Sequence, residues 1–289
     1  MPLTETESSL ATKESLASLA APDRACGARI AGAMHELEQL AELLVADDCR
    51  LDSTLSASIA QDLKLSIVIP VFNEQATIRQ VLDRVLALPI ATEIIVVDDA
   101  STDGTRQILA EYEAKRNVCV IFKPCNEGKG AALRTGFRRV TGDVVVVQDA
   151  DLEYDPADIL NVVRPIAAGQ ADVVYGSRFL NQPEGGRLSI HRLGNACLTM
   201  LSNWFTGLDI TDMETCYKAF RREVLASFEI RQPRFGFEPE VTARIARRKY
   251  RLSEVPIRYA PRSYAQGKKI GVKDLFNALF CIIRYGIAD

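Results

Sequence analysis

Histidine, tryptophan and paired cysteines are scarce in this 289-residue chain. It has two histidines, His35 and His191, and a single tryptophan. So little histidine argues against a His-rich zinc site and against hydrolases that depend on a histidine base. The seven cysteines are scattered and form no C-x-x-C pair. We therefore expect reduced thiols in a cytoplasmic protein rather than a disulfide framework.

Long apolar runs and a secretory leader are also missing. No stretch of 18 apolar residues occurs, so the sequence predicts no membrane-spanning helix. The first twenty residues lack the basic start and the apolar core of a signal peptide. Any membrane contact is therefore expected to be peripheral, on the cytoplasmic face.

The composition is that of a globular protein, with 47% hydrophobic and 25% charged residues. The net charge of −3 hides an asymmetry, because residues 1–63 carry 11 acidic and 4 basic groups whereas residues 230–289 carry 13 basic and 5 acidic groups. The basic end suits phosphates or an anionic membrane, although a solvated basic helix around residues 244–249 explains part of the excess. Aromatics are not interleaved with these basic residues, so we predict no nucleic-acid partner.

Periodicity divides the chain into three segments. Residues 1–23 are rich in Ser, Thr, Ala and Glu without a repeat, which predicts a disordered tail. Residues 24–63 contain apolar side chains at helical spacing, followed by a polar stretch, which predicts an amphipathic helix and a linker. Packing on the main domain and self-association into a homo-oligomer are both open for that helix. Residues 64–289 form the main predicted domain.

Apolar strands and amphipathic helices alternate from residue 64 onward. Strands are predicted at 65–70 (ended by Pro70), 93–98, 118–122, 144–147 and 171–176, with helices at 74–88, 103–112, 130–140 and after Asp155-Pro156. This alternation predicts an α/β fold with a mainly parallel sheet and helices on both faces. Further along we predict a long apolar helix at 188–205, a strand at 216–220, a basic helix at 238–249, an edge strand at 252–257 and a final amphipathic helix at 273–285.

The four valines at 144–147 end abruptly at Asp149 and Asp151. A run of this length suits a strand buried on both faces of a parallel sheet. The two aspartates are then predicted at the carboxyl end of a central strand, where open α/β sheets bind ligands. Carboxylates so close together repel unless a cation offsets their charge, which favours a divalent metal bridging to a phosphorylated substrate. The position after a fully apolar strand weakens the alternative of a surface turn with solvated aspartates.

Polar loops follow all five of the first predicted strands. In order they contain Ile-Pro-x-Phe-Asn-Glu (69–74), Val-Val-Asp-Asp-x-Ser-x-Asp-Gly-Thr (96–105), Asn-x-Gly-Lys-Gly (126–130), Asp-Ala-Asp (149–151) and Gly-Ser-Arg (176–178). The series resembles family 2 glycosyltransferases of the GT-A fold, in the branch that contains dolichyl- and polyprenyl-phosphate hexose synthases. Each motif alone is weak evidence, whereas five in this order are specific. The resemblance covers residues 65 to 285 and leaves 1–62 unexplained.

The resemblance implies a nucleotide-diphospho-sugar transferase fold with a Rossmann-like sheet, and it makes residues 64–289 a glycosyltransferase catalytic domain. By resemblance, the donor-binding residues would be Pro70, Phe72, Asn73, Glu74 and Asp98 around the base and ribose, Asp99 in support of that loop, Lys129, Asp149, Ala150, Asp151, Arg178, and Arg262 and Lys268 on a basic loop that closes over the diphosphate. The alternatives are loop structure for the Asp98-Asp99 pair, a solvated Lys129, a structural salt bridge for Arg178, and an ordinary surface loop at 262–269.

The resemblance also implies a cofactor. Asp149 and Asp151 would hold Mg²⁺ or Mn²⁺ on the donor diphosphate, as oxygen ligands for a hard cation. Relatives often have Gln two residues after the second aspartate, where this chain has Glu153 as a candidate third ligand. The reaction would be an inverting displacement at the anomeric carbon, with Asp151 and Arg178 among the catalytic residues.

The acceptor class is left open by residues 212–218. Many members of the branch have Asp-x-x-Ser-Gly-Phe-Arg there, whereas this chain has Asp-Met-Glu-Thr-Cys-Tyr-Lys. A lipid phosphate is already ionised and needs no strong base, but a hydroxyl acceptor does. Asp212 and Glu214 are the candidate bases for the second case, and capping a turn or binding the acceptor are their alternatives.

Two predicted helices could meet a membrane, those at 188–205 and 273–285. Their apolar faces suit an interfacial surface that admits a lipid tail, with core packing as the alternative. Relatives often carry transmembrane helices after this point, whereas this sequence ends at Asp289, so peripheral membrane contact is expected.

Other functional classes fit less well. A sugar-nucleotide pyrophosphorylase needs a Gly-rich basic loop after the first strand, and residues 70–74 are not one. A dinucleotide dehydrogenase needs the third glycine of G-x-G-x-x-G, where this chain has Leu133. A non-catalytic sugar-nucleotide-binding regulator remains an alternative, although the presence of both Asp149 and Asp151 argues against it.

Overall fold

The structure, a computed structural model, describes residues 63–90, 92–180, 190–262 and 272–287. The predicted tail at 1–23, the predicted helix and linker at 24–63 except its last residue, and the candidate donor ligand Lys268 lie outside the described residues. Their assignments stay predictions.

Seven strands of the described chain form one sheet. They are β1 (Leu65–Val71), β2 (Thr92–Asp98), β3 (Val118–Phe122), β4 (Val144–Val147), β5 (Val173–Ser177), β6 (Lys218–Arg221) and β7 (Leu252–Pro256), in the order β3-β2-β1-β4-β6-β5-β7. Six strands run in the same direction, and β6 alone is antiparallel to its neighbours β4 and β5. The mainly parallel α/β sheet predicted from the sequence is confirmed, and β7 is an edge strand as predicted.

Eight α-helices lie in the described part of the chain. They are α1 (Ile78–Leu86), α2 (Thr105–Tyr112), α3 (Lys129–Phe137), α4 (Ile159–Ala167), α5 (Ile190–Thr206), α6 (Arg222–Ala226), α7 (Phe237–Arg247) and α8 (Val272–Ile287). A 3₁₀ turn (Pro156–Asp158) leads into α4, and Asp155 caps it by accepting a hydrogen bond from the Ala157 amide at 3.1 Å. The short helix α6 was not predicted.

The valine strand β4 lies in the middle of the sheet, as predicted. All four valines are buried, and because successive side chains point to opposite faces, both faces of the sheet are covered at this strand. Each buried valine stabilises the fold by roughly 1.5–3 kcal/mol relative to an exposed one. Burial therefore fixes where β4 ends, and with it the position of the loop that carries the two aspartates.

Pro70 does not end β1, which continues to Val71. In a parallel strand, one residue directs both its N–H and its C=O towards the same neighbouring strand. Val68 accepts from Gln148 N at 3.0 Å, so Pro70, two residues on, faces the side where β4 has already ended. The missing N–H of Pro70 therefore costs no ladder bond, and the prediction that the proline ends the strand was wrong.

Helix α8 packs against both α5 and α7. The approach to α5 is close, since a Cβ atom at Gly286 would lie 2.7 Å from Phe205 Cβ. Within the described ranges, no helix is both long enough and apolar enough to span a bilayer.

Candidate functional site

The loops that follow β1, β2 and β4 meet at the carboxyl edge of the sheet and are tied together by hydrogen bonds. Asn73 N donates to Ser101 Oγ at 2.9 Å, and Thr102 N donates to Asn73 Oδ1 at 2.8 Å. Thr77 Oγ1 donates to the carbonyl oxygen of Ala150 at 2.9 Å. Asn73 and Ala100 adopt positive φ angles of 52° and 64°, which lets the two loops turn towards each other. The predicted donor-binding loops therefore form one continuous wall.

Asp98 and Asp99 are both buried inside this wall. Asp98 accepts from Ser101 N and from Arg106 Nε, the latter at 2.6 Å. Asp99 accepts from Lys123 Nζ at 2.5 Å and from Gly128 N at 2.6 Å, so it joins the β2 loop to the loop before α3. Both carboxylates thus order loops. The contacts of Pro70, Phe72, Asn73, Glu74 and Asp98 with a nucleotide stay predictions.

Lys129 opens α3 and joins Asp149 to the second half of the chain. Its Nζ lies 3.0 Å from Asp149 Oδ1 and 3.1 Å from Glu238 Oε1. Burial opposes the charge on this lysine, but attraction to Asp149 and other acidic neighbours holds its pKa well above the ordinary value. Lys129, whose side chain is 14% exposed, is therefore a charged bridge between acids and not the solvated lysine that was the alternative interpretation.

Asp151 lies two residues from Asp149 and is only 8% exposed. Its Oδ2 is 2.5 Å from Arg262 Nη2. Burial nevertheless raises the pKa of Asp151 to about 7, and the charge of Asp149 adds to the shift. One guanidinium therefore does not offset the cost of a buried carboxylate beside other acids. The surroundings of Asp151 therefore favour the binding of additional positive charge.

Arg262 gathers the acidic side chains of two loops. Its Nη1 lies 3.1 Å from Glu74 Oε2, its Nη2 contacts Asp151, and its backbone N donates to Glu153 Oε1 at 2.8 Å. Glu153 also accepts from the Tyr259 hydroxyl at 3.0 Å. The carboxylate of Glu153 therefore holds the 259–262 segment in place.

The donor set at this edge fits a hard divalent cation only in part. Asp149 and Asp151 supply carboxylate oxygens, the ligand type that Mg²⁺ and Mn²⁺ prefer. In the part of the chain that the structure describes, no three His, Cys, Asp or Glu side chains gather into a metal-binding group. Asp149, Asp151 and Glu153 are thus not assembled as a trio. A metal here would take two protein ligands at most from this trio and would need oxygens from a substrate.

Arg178 follows β5 and pairs with Asp212, the first of the two candidate bases. Its Nε and Nη2 atoms each lie 2.7 Å from one oxygen of Asp212, and its backbone N donates to Oδ2 at 3.1 Å. Asn195 Nδ2 also donates to Asp212 at 3.2 Å. The guanidinium lies 5.0 Å from the centre of the Tyr259 ring. With both oxygens engaged, the fully buried Asp212 is poorly suited to accept a proton.

Glu214, the second candidate base, is half-buried, and its Oε1 atom is shielded from solvent. Burial raises its pKa to about 8, and the nearby charge of Glu238 adds to the shift. Its Oε1 has no hydrogen-bond partner within the described chain. Lys218, which is buried, donates to the carbonyls of Met213 and Thr215, and burial lowers its pKa to about 8. Near neutral pH Glu214 is therefore mostly protonated, which is the wrong state for a general base.

Three charged residues of the site were missed by the sequence analysis: Arg106, Lys123 and Glu238. Arg106 pairs with Asp98 eight positions away, Lys123 pairs with Asp99 24 positions away, and Glu238 pairs with Lys129 from another part of the chain, so none of these contacts lies within a predicted motif. Glu238 offered one signal, because it and Glu240 are acids in the first turn of a helix whose last turn is basic. Its Oε2 is buried and has no hydrogen-bond partner in the described ranges.

A family model described as glycosyl transferase family 2 matches residues 66–228. The low-salt glycan biosynthesis hexosyltransferase Agl6 of Haloferax volcanii is 30% identical over 203 residues, which cover 68% of this chain and 48% of that protein. The undecaprenyl-phosphate 4-deoxy-4-formamido-L-arabinose transferase of Serratia proteamaculans is 32% identical over 226 residues, covering 76% of this chain and 67% of that protein. The chain thus spans about half the length of the first relative and two thirds of the second.

Solved structures of glucosyl-3-phosphoglycerate synthase from Mycobacterium tuberculosis share the fold. One of them, in complex with Mn²⁺, UDP and phosphoglyceric acid, has a TM-score of 0.65 and 22% identity, and the match covers 82% of this chain and 83% of that chain. At that identity the likeness shows the fold alone, and it confirms the predicted GT-A architecture.

Proposed function

The chain belongs to glycosyl transferase family 2, and from this premise we propose that it is a metal-dependent inverting hexosyltransferase. The donor would be a nucleotide-diphosphate sugar of the UDP-glucose or GDP-mannose type, and the acceptor a polyprenyl or dolichyl phosphate at a membrane surface. The observation that carries the proposal is the pair of acids, Asp149 and Asp151, at the end of the central strand, facing Lys129 and Arg262.

The donor diphosphate would interact with both the acidic and the basic side chains at this edge of the sheet. Asp149 and Asp151 would hold Mg²⁺ or Mn²⁺, which would neutralise charge on the departing nucleoside diphosphate. Arg262 would bind a phosphate oxygen through its planar guanidinium, together with Lys268. The solved neighbours named with Mn²⁺ or Mg²⁺ and UDP support a divalent metal at this type of site.

The second half of the chain favours a phosphate acceptor. An acceptor phosphate oxygen attacks the anomeric carbon, the bond from that carbon to the diphosphate oxygen breaks, and no proton needs to be removed. A hydroxyl acceptor would need an ionised base, but Asp212 is engaged by Arg178 and the pKa of Glu214 is about 8. The name of the Serratia relative, an undecaprenyl-phosphate transferase, supports the same acceptor class.

Exposed apolar rows on α5 and α8 would bring the enzyme to its lipid. On α5 they include Leu193, Met200 and Trp204, the last of which is 76% exposed. On α8 they include Phe276 and Phe280, with Phe276 67% exposed. Large exposed apolar side chains on a helix face are suited to the interfacial region of a bilayer. This is the basis for proposing peripheral membrane contact.

Direct transfer to a lipid phosphate tests the proposal. The full chain is incubated with Mn²⁺, radiolabelled UDP-glucose or GDP-mannose, and detergent-solubilised polyprenyl phosphate, and label in the organic phase is counted. We expect lipid-linked label with one donor, and its loss with EDTA. Label transferred only to a sugar hydroxyl acceptor would instead support the alternative with Asp212 or Glu214 as base. Nucleotide-sugar binding without any transfer would support the non-catalytic regulator.

A further inference from the structure

The guanidinium of Arg262 lies among the carboxylates of the candidate metal site. Its guanidinium contacts Glu74 Oε2 at 3.1 Å and Asp151 Oδ2 at 2.5 Å, although these acids lie on loops that follow different strands. Its Nε lies 3.7 Å from Glu153 Oε1. The side chain is 17% exposed, so these contacts are made largely out of solvent. One arginine therefore serves as counter-ion to three carboxylates.

Hydrogen bonds to Glu153 hold the segment that carries Arg262. Arg262 N donates to Glu153 Oε1 at 2.8 Å, Ala260 N donates to the Glu153 carbonyl at 2.9 Å, and the Tyr259 hydroxyl donates to Glu153 Oε2 at 3.0 Å. The segment that carries the guanidinium is thus anchored to the loop that carries Asp151. The contact is part of the fold and not a chance meeting of surface charges.

A metal ligated by Asp151 would compete with the guanidinium for the same carboxylate, whose Oδ2 contacts Arg262 and whose Oδ1 accepts from Glu153 N at 3.1 Å. A cation of the Mg²⁺ class binds carboxylate oxygen at about 2.0–2.1 Å, so it would stand close to a guanidinium that already contacts Asp151. At that distance two cations repel strongly inside a protein. A free ion would have to displace Arg262 from Asp151 and leave it without a new anionic partner. An ion already chelated by a nucleoside diphosphate brings phosphate oxygens that Arg262 can bind.

We propose that Arg262 is an internal counter-ion that makes the site select a metal–nucleotide complex over the free divalent ion. The inference rests on the proposed function and goes beyond it, because it assigns Arg262 a role in the protein without donor. It predicts strong mutual dependence, since two ligands whose binding is coupled must raise each other's affinity by the same factor.

Manganese binding by the full chain tests this role without measuring turnover. Free Mn²⁺ is followed by electron paramagnetic resonance during titration, with no nucleotide, with UDP and with GDP. The variants are Arg262→Gln, Arg262→Lys and the control Arg258→Gln. Arg258 is four residues away, is more exposed, and pairs with Asp155 and Asp158 outside the candidate metal site.

For the unaltered chain we expect weak binding of Mn²⁺ alone and binding about tenfold tighter or more with the matching nucleotide. Arg262→Gln should bind Mn²⁺ alone about tenfold more tightly than the unaltered chain and should gain less from nucleotide. Arg262→Lys should lie between them, and Arg258→Gln should match the unaltered chain.

Equal affinity of Arg262→Gln and the unaltered chain for Mn²⁺ alone would overturn the role of Arg262 while leaving the metal site intact. The same tightening in Arg258→Gln would also overturn it, because the effect would then be one of net charge. Failure of every variant to bind Mn²⁺, with or without either nucleotide, would overturn both this inference and the metal dependence of the proposed function.

Discussion

The two halves of the candidate site differ in how their charged side chains are paired. In the first half, at the loops after β1 and β4, the carboxylates of Glu74, Asp149, Asp151 and Glu153 pair, within the described residues, with the two cations Lys129 and Arg262. In the second half, after β5, the charges are paired: Arg178 binds Asp212, and the half-buried Glu214 lies near the buried Lys218. Among the described residues, acids outnumber cations in the first half, whereas the charges of the second half are nearly balanced.

Burial and ion pairing, more than residue type, therefore decide whether an acidic side chain is suited to bind a cation or mainly stabilises the fold. An aspartate short of counter-charge, like Asp151, suits binding a cation that arrives with a substrate. An aspartate held by two guanidinium nitrogens, like Asp212, mainly stabilises the fold. Under the proposed function, the acceptor would meet the exposed apolar side chains of α5 and α8 and would need no acid or base from this half.

The largest effect is expected at Asp151. Asp151→Asn removes a charge from the proposed metal site, and turnover should fall about 10³-fold, which corresponds to about 4 kcal/mol of transition-state stabilisation. Asp209→Asn, the same change at an exposed residue outside the site, should retain activity. Initial rates at saturating donor measure both. Unchanged transfer by Asp151→Asn would remove the distinction between the halves.

In the second half, a substitution should lower the free energy of unfolding. Asp212→Ala leaves the guanidinium of Arg178 buried without its main partner, and should lower the free energy of unfolding by about 3–5 kcal/mol. Asp151→Asn should not destabilise the fold comparably, because it relieves repulsion among neighbouring carboxylates. Urea denaturation of the two variants makes the comparison. Equal losses would show that both acids are structural.

Membrane contact should depend on the second half alone. Trp204→Ser should reduce binding to anionic phospholipid vesicles about tenfold or more, because one large side chain no longer enters the interface. Its unfolding free energy should change by less than about 0.5 kcal/mol, since the side chain is exposed. Phe122→Ser, on the edge strand β3, is the control and should sediment with vesicles like the unaltered chain. A similar loss in that variant would argue against a defined docking face.

The smallest effect is a pH dependence at Glu214. Its folded pKa of about 8 lies above the value in the unfolded chain, so the folded state binds more protons and stability falls as the pH rises towards 8. Gln at this position stays neutral. The Tm of Glu214→Gln should therefore gain a few degrees on the unaltered chain between pH 5 and pH 8 and level off above that. If the Tm difference between Glu214→Gln and the unaltered chain stayed constant from pH 5 to pH 8, a protonated Glu214 would be contradicted.

Much of the fold was readable from the sequence because local patterns encode it. The strands β3 and β4 have the predicted bounds, and the Asp155-Pro156 turn opens the next helix, since apolar runs and capping residues act within a few positions. The reversed direction of β6 and the continuation of β1 through Pro70 depend on neighbouring strands, which no local pattern shows.

The site was readable only in outline. The sequence placed Asp149 and Asp151 after a buried strand, and the structure has them there. Arg262 was predicted to act on the diphosphate, but its contacts with Glu74 and Asp151 join residues 188 and 111 positions apart. Ion pairs at that separation are decided by packing of the whole domain, and so are the Lys129–Glu238 and Arg178–Asp212 pairs.

In the proposed function, a divalent cation links the acids of the first half to a nucleotide diphosphate. Thermal unfolding of the full chain with UDP- and GDP-sugars, in Mn²⁺ or in EDTA, tests it most directly, because a ligand that binds only the folded state raises its Tm. We expect a Tm increase of several degrees with one donor class in Mn²⁺, and none in EDTA or in Asp151→Asn. An equal increase in EDTA would contradict it.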